Sequence, residues 1–341
     1  MVVPLSKLAD SVKDARFLWG VLRKKPLQVL LQVTNRCNMT CGFCDFWTNP
    51  AKPQDELSTG DYRRIARELG ELSTCLISIE GGEPFLRKDL DDIVAAFGER
   101  HLPMLFTNGS AVTPERARGL FDRGLAHACV SIDFASAARH DEKRGLPGAS
   151  ARAWSAIEHF RTAAPVPDRQ VHVMTVIMED NVDELEDLFA RSHAYGVGHQ
   201  VTLLSNTGFR RGKSDRAPKA AALRALPALW RKYPHVRFFR EYFEHLGTFV
   251  EDPEALPRCD AGAQSFNIDH VGNLSVCIEK IDQPVGNVRE ASIGELAARA
   301  KAKGAEGCQA CWTACRGLTY SLGNRGTRQG LVDLATRLRR S

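Results

Sequence analysis

Long apolar stretches are missing from this chain: no window approaches 18 uncharged apolar residues, so no membrane-spanning helix is expected. The N-terminal 25 residues also lack the continuous apolar run of a secretion signal, because Lys7, Asp10, Lys13, Asp14 and Arg16 interrupt them. No charge of one sign dominates. Lys+Arg number 46 against 41 Asp+Glu, and a net charge of +5 without a basic patch or motif gives no ground for nucleic-acid binding. Repeats and low-complexity segments are absent, and 43 % hydrophobic with 26 % charged residues excludes wholesale disorder. A chain of 341 residues can bury a core that needs no disulfide staples. Its ten cysteines, without an export signal, are therefore expected as reduced thiols in a cytoplasmic protein, suited to metal or redox chemistry.

The positions of the thiols say more than their number. Cys37, Cys41 and Cys44 crowd near the start, and Cys259, Cys277, Cys308, Cys311 and Cys315 occupy the last quarter. Cys75 and Cys129 stand alone in apolar runs and read as buried structural thiols.

Short apolar runs at 27–33, 76–79, 104–106, 128–132, 171–177 and 200–204 read as buried parallel strands. Helical patterns at 59–72, 90–100, 113–123, 151–161 and 182–195 separate them, with Thr59 and Thr113 as N-caps and Asn181 ahead of an acidic first turn. Six β-α units in a row demand a parallel sheet with right-handed crossovers. Six strands are too few for an eight-stranded barrel, so the fold class is α/β with an open or partial barrel. Ligands of such sheets bind at the carboxyl ends of the strands. Residues 206–219 read as a basic loop (Arg210, Arg211, Gly212, Lys213), followed by a helix at 220–232 and an aromatic stretch. Both ends carry amphipathic basic segments. Leu5, Leu8, Val12, Phe17, Val21 and Leu22 form a stripe ending in Arg23-Lys24-Lys25, and 331–340 hold Leu331, Leu334 and Leu338 with Arg337, Arg339 and Arg340. These are helices packed on the body with solvated basic faces, or peripheral contacts to a membrane surface or anionic partner.

Cys37, Cys41 and Cys44 form C-x-x-x-C-x-x-C directly after the first strand. Three thiolates rather than four would leave one iron of an iron–sulfur cluster open to bind something else. The alternative is a zinc knuckle with a remote fourth ligand, but no His follows at finger spacing. Thr34-Asn35-Arg36-Cys37-Asn38-Met39-Thr40-Cys41-Gly42-Phe43-Cys44 closely resembles the signature of radical S-adenosylmethionine (radical SAM) enzymes, in which an aromatic residue, here Phe43, precedes the third cysteine. Gly81-Gly82-Glu83-Pro84 resembles that family's GGEP motif, which receives the methionine amino group. Asn108 follows strand three, Ser131 closes strand four, and His140-Asp141-x-x-Arg144-Gly145 resembles the segment whose arginine meets the SAM carboxylate. For Arg144 a surface ion pair with Asp141 or Glu142 is the alternative, for Ser131 a strand-end cap, and for Asn108 a turn role before Gly109.

Cys259, Gly272 and Cys277 in a C-x12-G-x4-C run, with Cys308-x-x-Cys311-x-x-x-Cys315 downstream, resemble the SPASM/twitch extension that holds auxiliary iron–sulfur clusters. The resemblance implies one auxiliary [4Fe-4S] cluster besides the [4Fe-4S] cluster that binds SAM. Cys259, Cys277, Cys308 and Cys311 complete four thiolates, and Cys315 is spare unless it replaces Cys308 or Cys311. A four-cysteine zinc site is the alternative. Segments at 266–268 and 274–276 flank a turn at 269–273 and read as a hairpin. The expected organisation is an N-terminal helix (1–26), a radical SAM (β/α)6 core (27–205), a connecting helical segment (206–258), a SPASM/twitch-like extension (259–322) and a basic tail (323–341). The resemblance implies an oxidoreductase-type radical enzyme fed by flavodoxin or ferredoxin, abstracting hydrogen from a small metabolite with dehydrogenation, epimerisation or C–C bond formation as outcome. A ribosomal-peptide maturase is the alternative, weakened because only 26 residues precede the first strand; a non-catalytic iron–sulfur or zinc regulator is the remote one. No catalytic acid or base can be named, and Arg240, Glu241 and Tyr242 are candidates by position only.

Overall fold

A computed structural model describes residues 5–208, 215–304, 306–323 and 328–335, with side chains from Val12 onward. The side chains of Leu5 and Leu8, the loop residues Arg210, Arg211, Gly212 and Lys213, and Arg337, Leu338, Arg339 and Arg340 lie outside the described residues.

Helix α1 (Leu5–Leu22) precedes six β-strands that alternate with helices. The strands are β1 (Gln28–Thr34), β2 (Leu76–Gly81), β3 (Leu102–Thr107), β4 (His127–Ser131), β5 (Val171–Ile177) and β6 (Gly198–Leu203). Between them run α2 (Thr59–Leu72), α3 (Leu90–Gly98), α4 (Pro114–Asp122), α5 (Ala137–Arg144), α6 (Ala149–Ala163), α7 (Pro167–Gln170) and α8 (Leu185–Ala194). After β6 come α9 (Ala220–Leu223), α10 (Leu226–Lys232), α11 (Arg240–Glu251), β7 (Ser265–Ile268), β8 (Asn273–Ser275), β9 (Gly286–Asn287), α12 (Ile293–Gly304), α13 (Ala314–Leu322) and α14 (Arg328–Asp333). The sheet order is β6-β5-β4-β3-β2-β1-β7-β8-β9. Strands β1 to β6 pair in parallel, β7 adds to β1 in parallel, and β8 and β9 continue antiparallel. The parallel sheet is therefore open, with a small antiparallel extension on the side of β1.

Burial explains why these runs are strands. Every residue of β1 is buried, because helices cover one face and the barrel interior the other. Cys75 and Cys129 are fully buried in this core, as their apolar surroundings imply. The hairpin forms as its turn chemistry demands: the Asp269 carboxylate accepts from the N–H groups of Val271 and Asn273, and Asn267 pairs with Ser275.

Two local expectations are corrected. Ser58, not Thr59, caps α2, exchanging hydrogen bonds with Asp61 in a capping box, while the Thr59 hydroxyl donates to Asp89 at 2.7 Å. Asn181 stands ahead of the acidic turn of Asp183 and Glu184 as expected, and it is fully buried, its amide donating to the Asp133 and Val176 carbonyls. The helix expected at 220–232 is two short ones, α9 and α10, with Pro227 in the first turn of the second.

Candidate active site

The cysteine loop leaves the carboxyl end of β1 and is clamped by the next strand end. The Gly82 N–H donates to the Thr34 carbonyl at 2.7 Å, and the Glu83 N–H to that of Arg36 at 2.8 Å. The clamp works only with glycines. Gly81 has φ +127°, and a Cβ on Gly82 would fall 2.0 Å from the Arg36 oxygen. Behind the loop, buried Glu56 accepts from Arg36 (3.0 Å), Arg87 (3.3 Å) and the Thr34 hydroxyl, joining residues 20 to 31 positions apart.

Glu83 sits behind the cavity wall, fully buried. Its carboxylate accepts from the Phe85 N–H at 3.0 Å, the Thr107 hydroxyl at 2.8 Å and the Asn108 N–H at 2.8 Å. Burial raises its pKa and these three donors pull the other way. Its visible work is to join the ends of β2 and β3. Asn108 accepts from the Ser110 N–H and donates to Asn38 of the cysteine loop at 2.9 Å, so it is a turn residue and a tether at once.

Arg144, at the end of α5, turns inward. It pairs with the fully buried Asp133 carboxylate, donates to the Cys41 sulfur at 3.9 Å and lies over the Phe43 ring at 5.3 Å. The expected alternative partner Asp141 is taken, accepting from the N–H groups of Gly148 and Ser150 at 2.6 and 2.8 Å. Asp133 is itself held by the Val176 N–H at 2.9 Å. Gly145 adopts φ +64° and packs on Thr40, so α5 ends against the cysteine loop. Burial raises the Cys37 thiol to about 11, and that of Cys41 also rises, opposed chiefly by the Arg144 charge.

Cys37, Cys41, Phe43, Cys44, Gly81, Gly82, Asn108, Ser131 and Arg144 line one cavity of ≈1070 Å³. It continues past Leu30, Ser78, Met104, Met174 and Thr202 to Leu76, Leu102 and His127, the first residues of β2, β3 and β4. The lumen is thus hollow along the strands, where a closed barrel would be filled by side-chain layers. Arg240, Glu241 and Tyr242, named by position, do not line it. Tyr242 is buried, accepting from the Leu203 N–H at 2.7 Å, and Arg240 pairs with Glu244.

The second thiol group assembles around the β7–β8 hairpin. The Cys259 N–H donates to the Cys308 carbonyl at 2.8 Å, and buried Arg316 donates to the carbonyls of Cys311 and Pro257, tying the two segments together. Cys259 and Cys277 each lie within electrostatic reach of Cys308 and Cys311, and burial pushes both thiols up to about 12. Cys315, in the first turn of α13, lies within electrostatic reach of Cys311 and Cys277 and also lines the cavity, together with Glu80 and Glu279. Burial raises its thiol well above the usual range, with Glu80, Cys311 and Glu279 adding to the effect. Among the described residues no three His, Cys, Asp or Glu side chains close on a single metal-ion point.

A family model for the radical SAM superfamily matches residues 31–191. An AdoMet-dependent heme synthase of Nitratidesulfovibrio vulgaris is 27 % identical over 78 % of this chain and 77 % of its own length. Mycofactocin maturase MftC of Mycolicibacterium smegmatis is 31 % identical over 74 % of this chain and 64 % of its own. Among solved structures, Streptococcus suis SuiB bound to precursor peptide SuiA superposes with a TM-score of 0.66 at 19 % identity, covering 84 % of this chain and 69 % of that one. The chain belongs to the radical SAM superfamily, and its homologues and structural neighbours are SPASM-type enzymes. It is itself a radical SAM enzyme.

Proposed function

We propose that this enzyme abstracts hydrogen from a small metabolite enclosed in the barrel lumen. One observation carries the proposal: the thiols of Cys37, Cys41 and Cys44 open onto a cavity that runs the length of the strands and is walled by Leu30, Leu102, Met104, Phe106 and Met174. An iron–sulfur group and SAM fit the residues present. Three soft thiol donors share one loop, and the Arg144 Nε is buried with no hydrogen-bond partner, an unspent donor beside them for a carboxylate. When bound, cluster and SAM together supply a 5′-deoxyadenosyl radical.

The chain's own residues hold and orient. Arg144, fixed by Asp133, presents its fork to the SAM carboxylate. Gly81 and Gly82 let the backbone approach the amino group, while Glu83 keeps that turn in shape from behind. Asn108, Ser131 and Phe43 complete the walls around the nucleoside. Cys259, Cys277, Cys308 and Cys311 hold one auxiliary four-iron cluster, and a flavodoxin or ferredoxin delivers electrons. Outcomes of this chemistry include dehydrogenation, epimerisation and C–C bond formation. Peptide maturation is the second reading, favoured by the similarity to MftC and to SuiB in its peptide-bound form.

The test is SAM turnover by the anaerobically reconstituted, reduced protein. Release of 5′-deoxyadenosine and methionine, lost in Cys41→Ala, is expected. S-adenosylhomocysteine as the sole product would overturn the assignment as a hydrogen-abstracting enzyme.

A further inference from the structure

Six large apolar side chains are exposed among the described residues: Val12, Trp19, Leu22, Val166, Leu331 and Val332. Scattered singly over a surface they would need no explanation. They are not scattered. Three lie on α1, Val166 lines the cavity itself, and two lie on α14. Phe17 and Leu18 of α1, which docks on Ser73 and Gly98 ahead of β2 and β3, and Leu334 just after α14 line that same cavity. Among the described residues, each exposed large apolar side chain thus belongs to a segment that helps to wall the lumen.

Helix α1 is two-sided. Val12, Trp19 and Leu22 share its outer face with Arg16 and Arg23, following the i, i+4, i+7 spacing. The inner face docks tightly: Val21 is buried, and a Cβ on Gly20 would fall 2.5 Å from the Ser73 hydroxyl. The helix ends in a turn made by Lys24 at φ +56°, with the Lys25 N–H donating to the Gly20 carbonyl. Among the described residues Lys24 alone takes this left-handed backbone without being glycine. Arg23 stacks over the Trp19 ring at 4.5 Å. Arg16, Arg23, Lys24 and Lys25 are all exposed around the apolar patch, and Asp14 is the single acidic residue between Val12 and Lys25.

Tryptophan and leucine ringed by arginine and lysine match an interface with negatively charged headgroups above an apolar layer. We infer that α1 and α14 dock this enzyme on an anionic lipid surface, with the part of the lumen they wall turned toward the lipid. A protein partner of plain apolar character would not require four cations on the same rim. Spanning is a separate matter, and among the described residues no helix is long and apolar enough to cross a membrane.

Flotation of the full chain with vesicles tests the inference. Vesicles of phosphatidylcholine mixed with phosphatidylglycerol should carry the protein, pure phosphatidylcholine vesicles far less, and added salt should release it. Trp19→Ala with Leu22→Ser should lower binding about tenfold, and Arg23→Gln, Lys24→Gln and Lys25→Gln together about a hundredfold. All these side chains are exposed, so SAM cleavage should persist in each variant and certify its fold. Absence of flotation, or flotation indifferent to Trp19 and Leu22, overturns the inference. So does light scattering that finds a dimer lost in the Trp19 and Leu22 variant, which would assign the patch to a second copy of the chain.

Discussion

The guanidinium of Arg144 joins the Asp133 carboxylate to the Cys41 sulfur, so one cation serves both a strand end and the cysteine loop. Both carboxylate and guanidinium are out of water, where charge and geometry count for most. Arg144→Lys keeps the charge but loses the fork. It is expected to retain its iron and to weaken SAM binding by about tenfold or more in equilibrium dialysis. Asp133→Asn leaves the guanidinium buried without its counter-charge, and urea unfolding should show a loss of about 3–5 kcal/mol.

Gly82→Ala puts a methyl group against the Arg36 carbonyl. Backbone meets backbone there, so the cysteine loop must move. The variant should fold, by circular dichroism, yet reconstitute poorly at the first site and cleave SAM at a small fraction of the parent rate.

Two four-iron clusters predict about eight irons per chain after anaerobic reconstitution. Replacing Cys37, Cys41 and Cys44 by Ala should remove about half. Cys277→Ala should remove the other half, spare SAM cleavage and block conversion of substrate, provided circular dichroism shows an intact fold. With Cys259, Cys277, Cys308 and Cys311 as the proposed ligands, Cys315→Ala should keep all the iron, and loss of about half would place Cys315 among them. Zinc in place of the second half would sink the auxiliary-cluster proposal.

Acid should destabilise this fold early. Burial lowers the pKa of His127 and His140 to about 4 and places His172 and His199 well below the ordinary value. Each is neutral when folded, while the unfolded chain takes up a proton below about 6.5, so the penalty is absent above that pH and grows down to about 4. The melting temperature should fall through that window. A flat profile would show that these rings are protonated in the folded state.

Much of the fold is written locally. Each of the six apolar runs became a strand within a few residues of its expected ends, since strands buried on both faces need continuous apolar sequence. The site's positions are also legible as motifs, because glycine clamps and thiol spacings are local. Partnerships are not. That Arg144 would choose Asp133 over Asp141 depends on Asp141 being consumed by the start of α6, which only the fold reveals. Glu56 carries no motif at all, yet it holds Arg36 and Arg87 through contacts 20 and 31 residues distant. That Cys315 lines the lumen while staying within electrostatic reach of Cys311 and Cys277 likewise emerges only once α13 is in place.

The pairing of β7 with β1 bears on how this chain can be divided. Gln28 to Leu31 face Ser265 to Ile268 in parallel register, and the Leu27 N–H donates to the Gln264 carbonyl at 2.8 Å. Ending the chain at 258 would strip β1 of that neighbour and leave an apolar strand edge bare, a template for aggregation. The segment carrying the second thiol group supplies the neighbour that the first strand of the core needs, so the two share one sheet.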